Sequence, residues 1–266
     1  MGPLDLSEKK ATICYLTGHY GLGLVEAGDV DQLMEFVEER RGSARSASPK
    51  KNKGEIMKSS SKHWDTIFSN TEDSKLGWYE KNASQTLKLL NQIPEWKRST
   101  VFLPGAGTSV LIEKLLSKGV RLVLNDISIE ALNRVKDRLN DKGGKIDWLC
   151  QDISQPIQRT LPEVGIWIDR AVLHFLTDED DINGYFENVK STLKTGGYAI
   201  FAEFSKTGAP KCAGLILHRY SIEELSEKLG SSFKLISHFE YTYFNPPGDT
   251  RPYVYALYKK ENKKHG

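Results

Sequence analysis

Short apolar runs alternate with stretches whose apolar residues return at helical spacing. Val101 to Leu103 is one such run, broken at Pro104-Gly105-Ala106-Gly107; Leu111, Ile112, Leu115 and Leu116 then share a helical face until Gly119. The pattern predicts a strand, a tight turn and a helix. Val120 to Leu124 forms the next run and ends at Asp126, after which Ser128 caps a helix carrying Leu132, Val135 and Leu139. Gly143-Gly144 stops that helix, and Ile146 to Cys150 is the third strand. The fourth, Val164 to Ile168, is continuously apolar, as a strand buried on both faces requires. A helix bearing Ile182, Phe186, Val189 and Leu193 follows, stopped at Gly196-Gly197, and Tyr198 to Phe204 is the fifth strand. Lys206 to Arg219 reads as a loop, and Ser221-Ile-Glu-Glu224 as a capping box opening another helix. Phe233 to Tyr243 and Pro252 to Tyr258 flank the turn Asn245-Pro-Pro-Gly-Asp249 and make an antiparallel pair.

Strands alternating with helices define an α/β protein with a mostly parallel sheet, whose ligands bind beyond the carboxyl ends of the strands. Upstream, Leu87, Leu90 and Ile93 share a helical face that ends at Pro94, and aromatic residues gather in His63 to Phe68 and Lys75 to Tyr79. Residues 40–62 are rich in Ser, Lys and Arg and too poor in large apolar residues to offset the entropy of ordering, so a flexible basic linker is expected there. Residues 1–39 read as a small accessory α/β element of two short strands and a helix, leaving 63–266 as the main domain.

The glycine turn and Asp126 carry the first chemical signal. Gly105 and Gly107 allow a sharp turn and close approach to a ligand, and Asp126 can accept both hydroxyls of a ribose. The carboxylate is expected to face an open site and to take no part in holding its strand. A dinucleotide fingerprint wants a third glycine at position 110, where this chain has Val110, which disfavours NAD. A nucleoside without a pyrophosphate, such as S-adenosylmethionine, suits the shorter turn.

Phe102-Leu-Pro-Gly-Ala-Gly107, Leu124-Asn-Asp-Ile-Ser128, Cys150-Gln-Asp-Ile-Ser154, Ile168-Asp-Arg-Ala-Val-Leu-His-Phe175 and Leu193-Lys-Thr-Gly-Gly-Tyr198 follow one another in a telling order. In this order the chain resembles class I S-adenosylmethionine-dependent methyltransferases from about His63 to Tyr258, and in detail the thiopurine methyltransferase-like and related small enzymes. Leu103-Pro104 departs from that pattern, since many members carry an acid before the first glycine. The resemblance implies a Rossmann-like, seven-stranded, mostly parallel sheet of order 3-2-1-4-5-7-6, strand 7 antiparallel, with helices on both faces. It implies that Trp78, Gly105, Gly107, Thr108, Asp126, Ile127, Asp152, Ile153 and Asp169 hold S-adenosylmethionine, with Asp152 on the adenine amino group and Ile153 on the ring. Trp78 and Tyr79 are candidates for a lid over cofactor and acceptor.

A sulfonium methyl is already activated, so the protein chiefly aligns a nucleophile and excludes water. Where the acceptor must lose a proton, Asp169, His174 or Glu203 can assist from the strand ends. His174 has the alternative of simple packing beside Phe175. The expected acceptor is a small-molecule nucleophile such as a thiol. A protein lysine is the alternative, because elongation-factor and related lysine methyltransferases share the Trp-Asp start and the Asp-Arg after the fourth strand; a non-catalytic S-adenosylmethionine-binding module is a third.

Composition narrows the field. Lys plus Arg number 37 against 35 for Asp plus Glu, so no global field attracts nucleic acid or an acidic membrane, and neither is an expected partner. Cys14, Cys150 and Cys212 contain no C-x-x-C, which speaks against a disulfide framework or a metal site, and Cys212 reads as a plain loop residue. The start of the chain lacks the basic and apolar segments of a secretory signal, so a cytoplasmic protein is expected.

Overall fold

The structure, a computed structural model, describes residues 58–140 and 145–262. The accessory element expected at 1–39 and most of the linker expected at 40–62 lie outside them. The first helix, α1 (Ser61–Asn70), begins inside the last residues of that expected linker. Ser60 caps it, its Oγ accepting from His63 N at 3.3 Å. Trp64 and Phe68, one turn apart, are both buried and give the segment the apolar face that a linker lacks.

Next come α2 (Ser84–Leu90), β1 (Thr100–Leu103), α3 (Leu111–Leu116), β2 (Leu122–Asp126), α4 (Ile129–Leu139) and β3 (Ile146–Cys150). Then follow β4 (Val164–Arg170), a 3-10 turn at Leu173–Phe175, α5 (Glu179–Thr192) and β5 (Leu193–Phe204). A short hairpin, β6 (Lys211–Cys212) and β7 (Leu215–Ile216), precedes α6 (Ile222–Leu229), β8 (Phe233–Phe244) and β9 (Thr250–Lys260). The seven long strands form one sheet of order β3-β2-β1-β4-β5-β9-β8. Strands β1 to β5 pair in parallel, and β9 runs antiparallel to both β5 and β8. This is the expected order, with the β6–β7 hairpin added where a loop was expected. Ala213 and Gly214, at φ +50° and +78°, supply the two left-handed residues that a tight two-residue hairpin needs.

Each face of the sheet buries its own apolar layer. On one face, residues of α1 to α4, including Trp64, Leu89, Ile112 and Val135, cover Val101, Leu124, Ile168 and Ile200. On the other, Ile182, Phe186 and Val189 of α5 and Leu225 of α6 cover Phe102, Trp167 and Phe201. Phe102 and Trp167 stack with ring centroids 4.3 Å apart. The indole of Trp167 donates from Nε1 to Tyr185 Oη on α5 at 3.0 Å, which satisfies a buried donor across the layers.

Helix α5 is also fastened to the loop that follows β3. Asn188 Nδ2 donates to the carbonyls of Ile153 and Gln155, each at 2.8 Å. One turn earlier, Gly184 leaves room for the loop, since a Cβ there would lie 2.1 Å from the carbonyl oxygen of Ser154. Gly184→Ala should therefore lower stability by about 1 to 3 kcal/mol, overriding the helix-propensity gain of alanine. Chemical denaturation measures this, and an unchanged or raised midpoint would show that the loop can retreat freely.

Candidate active site

At the carboxyl end of β1, Gly105 and Gly107 adopt φ of +46° and +50°. The two glycines serve different needs. A Cβ on Gly105 would lie 2.4 Å from Cγ2 of Val172, whereas one on Gly107 would come no closer than 3.4 Å to Phe68 and 3.9 Å to the Gly105 carbonyl oxygen. Gly105 is thus required for room as well as conformation, and Gly107 for its left-handed backbone.

Asp126 does not stand free. Its Oδ2 accepts from Gly107 N and its Oδ1 from Ser128 N, both at 2.8 Å. The expectation that this carboxylate takes no part in holding the strand end is corrected: it ties the glycine turn to β2. Ser128 continues the chain of contacts, its hydroxyl donating to Asp65 Oδ1 at 2.6 Å and accepting from Ala131 N at 3.2 Å. Burial pushes the Asp126 carboxyl up to about 6, against the pull of those backbone donors.

Two open cavities, one larger than the other, meet across Trp78, Gly105, Gly107 and Arg170. The larger brings together Asp126, Ile127, Asp152 and Ile153 from the ends of β2 and β3. The smaller holds Thr108, with Glu80 and Thr86 opposite the glycine turn. Expected cofactor residues other than Asp169 therefore line one connected cleft. Asp152 Oδ1 accepts from Ser154 N at 2.9 Å, which fixes its side chain at the rim. The lined shape, a side chamber joined to a second chamber across a glycine turn, fits a nucleoside carrying an amino-acid tail.

Sequence reasoning did not single out Trp64, Phe68, Phe175 or Arg170, all of which line the larger cavity. Trp64 packs edge-on to Phe175 at 4.8 Å and to Trp78 at 5.5 Å between centroids. The signal for the first two was available: Trp64, Ile67 and Phe68 stand at i, i+3, i+4 behind a serine cap.

Asp169, His174 and Glu203 line neither cavity and are fully buried, so their expected place beside the cofactor or acceptor is corrected. Asp169 accepts from Val172 N at 3.1 Å, Leu173 N at 3.2 Å and Tyr185 Oη at 2.5 Å. Glu203 Oε2 accepts from His174 N at 3.1 Å and lies 2.7 Å from His174 Nδ1. Desolvation drives His174 down to about 3, which leaves the ring neutral.

Arg170, next to Asp169 on β4, points to the opposite side. Its Nε lies 2.9 Å from Glu80 Oε2 and its Nη1 donates to the carbonyl of Trp78 at 2.9 Å. The guanidinium also sits over Tyr243 and Tyr253, at 5.3 Å and 5.5 Å from the ring centroids. Tyr243 Oη donates to the carbonyl of Tyr79, so β8 and β4 together hold the segment that carries Trp78.

Residues 101–197 match a family model described as a methyltransferase domain. No curated protein matches the chain by sequence. Among solved structures, the N-methyltransferase NodS from Bradyrhizobium japonicum WM9, in complex with S-adenosyl-L-homocysteine, is similar at 16% identity and TM-score 0.57, over 74% of this chain and 98% of that one. A Burkholderia thailandensis 1,6-didemethyltoxoflavin-N1-methyltransferase with bound 1,6-didemethyltoxoflavin and S-adenosylhomocysteine is 14% identical, with TM-score 0.52 over 98% of this chain and 93% of that one. A structure from work on conversion of a disulfide bond into a thioacetal group during echinomycin biosynthesis is 13% identical, with TM-score 0.60 over 77% and 93%. Residues 101–197 thus match a methyltransferase domain, and the seven-stranded sheet in which they lie is the fold shared with these methyltransferase structures.

The Asp126 contacts predict two separable effects. Asp126→Ala leaves two backbone N–H groups without their partner and should lower the stability of the ligand-free protein by about 1 to 3 kcal/mol. A ribose hydroxyl donates best to the ionised carboxylate, so affinity for S-adenosylhomocysteine should fall as pH drops through about 6, where Asp126 takes up its proton. Calorimetry on wild type and Asp126→Asn checks this; the variant should bind more weakly at neutral pH and lose the acid-side slope.

Proposed function

We propose that the protein transfers the methyl group of S-adenosylmethionine to a small-molecule nucleophile, a thiol being the best match. The observation that carries this reading is the aromatic enclosure of Trp64, Phe68, Trp78 and Phe175 around the larger cavity. Such a wall excludes water and suits a compact, soft acceptor. When bound, the cofactor supplies an electrophilic sulfonium methyl.

In this reading Asp126 accepts from the ribose hydroxyls, Asp152 from the adenine amino group, and Ile127 and Ile153 flank the adenine. Trp78, Gly105, Gly107 and Thr108 hold the remaining part, across the junction of the two cavities. Among the acids lining the cleft, Asp181 is the one with no hydrogen bond or ion pair among the described residues. Asp126 and Asp152 accept from backbone N–H groups, Glu80 pairs with Arg170, and Asp178 pairs with Lys58. A thiol asks little of a base, because part of it is already ionised in water near neutral pH. A protein lysine asks more of the site, because its ammonium must first lose a proton. An amine of low basicity is the second small-molecule reading, favoured by the similarity to the two N-methyltransferases. No helix among the described residues is long and apolar enough to cross a membrane, and a cytoplasmic site of action goes with the small-molecule reading.

The test is transfer of labelled methyl from S-adenosylmethionine by the full-length protein, offered a panel of small thiols, a panel of small amines and a protein extract in parallel. Label is expected in the thiol fraction. Label confined to protein lysines would overturn the small-molecule reading, and binding without any transfer would make the protein a cofactor-binding module.

A further inference from the structure

Beneath the cavity wall lies a buried cluster that methyl transfer leaves unused. Ala171, Val172, Phe175 and Leu176, the turn after β4, line the larger cavity. Ala171 stands at φ +68°, a left-handed conformation that is strained for a residue with a Cβ. What holds the turn in this shape is a pair of carboxyl groups behind it. They take three successive backbone donors: Val172 N and Leu173 N go to Asp169, and His174 N goes to Glu203. The turn in turn sets the glycine loop, because the Val172 side chain fills the space that a Cβ on Gly105 would need.

Asp169 pairs in register with Phe201 of the neighbouring strand, so Glu203, two residues further on β5, stands on the same face of the sheet. Two carboxyl groups so placed in a dry interior cannot both ionise at low cost. Asp169 and Glu203 are fully buried, and desolvation drives both upward, Glu203 to about 8 and Asp169 well above the usual carboxylate range. The titratable groups around them are Arg170 on β4, His174 in the turn, Tyr185 on α5, Tyr220 ahead of α6 and Tyr253 on β9. His174 is neutral, and Arg170, although it favours ionised Glu203, is engaged by Glu80, so a second negative charge is offset only in part.

We propose that Asp169 and Glu203 are positioning residues that share one proton and thereby hold the Ala171–Leu176 turn against the glycine loop, setting the affinity of the cleft for its nucleoside. This rests on the cofactor reading. Loss of the shared proton to solvent leaves two adjacent buried carboxylates whose repulsion draws the N–H donors of the turn apart. A carboxyl with a native pKa above its unfolded value binds its proton more tightly in the folded state. The stability it adds is therefore full at low pH and is lost as pH rises from about 4.5 to about 8.

The experiment titrates 5′-methylthioadenosine, which has no group of its own ionising in the range used, into the full-length protein from about pH 7 to about pH 9.5. Wild-type affinity should fall at least about fivefold over that range. Glu203→Gln supplies a permanently neutral partner, whose amide can still donate to Asp169 and accept from His174 N. It should bind within about threefold of wild type at neutral pH and stay flat to within about twofold. Asp169→Asn should bind about tenfold more weakly at every pH, because one amide oxygen cannot serve Val172, Leu173 and Tyr185 as a carboxylate does. A merely structural role would lower the melting temperature of the variants without giving wild type a slope that Glu203→Gln removes. A flat wild-type profile, or the same slope in Glu203→Gln, overturns the proposal, and the wild-type profile decides even where a variant fails to fold. Binding with a flat profile sinks this proposal alone; no binding of this nucleoside or of S-adenosylhomocysteine at any pH removes the cofactor reading with it.

Discussion

The cleft depends on carboxyl groups at strand ends accepting hydrogen bonds from the backbone of the turns beside them. Asp126 at the end of β2 takes Gly107 and Ser128, and Asp152 after β3 takes Ser154. Asp169 on β4 takes Val172 and Leu173, and Glu203 on β5 takes His174. Turns at this edge leave the sheet and lose its ladder, so their N–H groups need other acceptors. A charged acceptor is worth about twice a neutral one, which lets one side chain hold two donors and a left-handed residue together. The floor and one wall of the cleft are therefore set by the same kind of contact, repeated along the sheet.

The alternation of the strand divides these contacts into two environments. Asp169 and Arg170 are neighbours on β4, yet one turns toward α5 and the other toward the lid. The acidic side is dry and solvates its charge through N–H and O–H donors. On the other side Glu80 and the faces of Tyr243 and Tyr253 surround a guanidinium. Desolvation opposes the Arg170 charge, and Glu80 more than restores it. That buried pair lets an arginine bind the Trp78 carbonyl without leaving an uncompensated charge under the lid.

Much of this was legible in the chain. The apolar runs placed β1 to β5 and the Asn245-to-Asp249 turn placed the terminal antiparallel pair, because each carries its own period. Strand β5, however, begins at Leu193, which was expected on the preceding helix, and runs through Gly196-Gly197 where a helix stop was expected. The glycine turn and Asp126 stood out by type and spacing, and both line the larger cavity. Helix α1 was passed over although Trp64, Ile67 and Phe68 mark its face, since the aromatic residues read as a lid before they read as a period. The displacement of Asp169, His174 and Glu203 from the cavity had no sequence signal. It follows from partners more than a dozen residues away: Tyr185 lies 16 positions from Asp169, and Glu203 lies 29 from His174. A strand-end acid looks the same in sequence whether its lone pairs are spent or free.

That distinction separates the two aspartates on which the site turns. A carboxylate offers about four lone-pair directions. Asp169 spends three on Val172, Leu173 and Tyr185, with Glu203 against what remains, and no ligand atom can compete for it. Asp126 spends one per oxygen, on Gly107 and Ser128, and its residual 5% exposure opens into the larger cavity. Each oxygen keeps a direction for a hydroxyl, so a vicinal diol can bind without displacing the backbone donors that shape the turn. The bonds that pin Asp126 also fix the direction of its free lone pairs, and a ribose that meets them loses little entropy in orienting the acid.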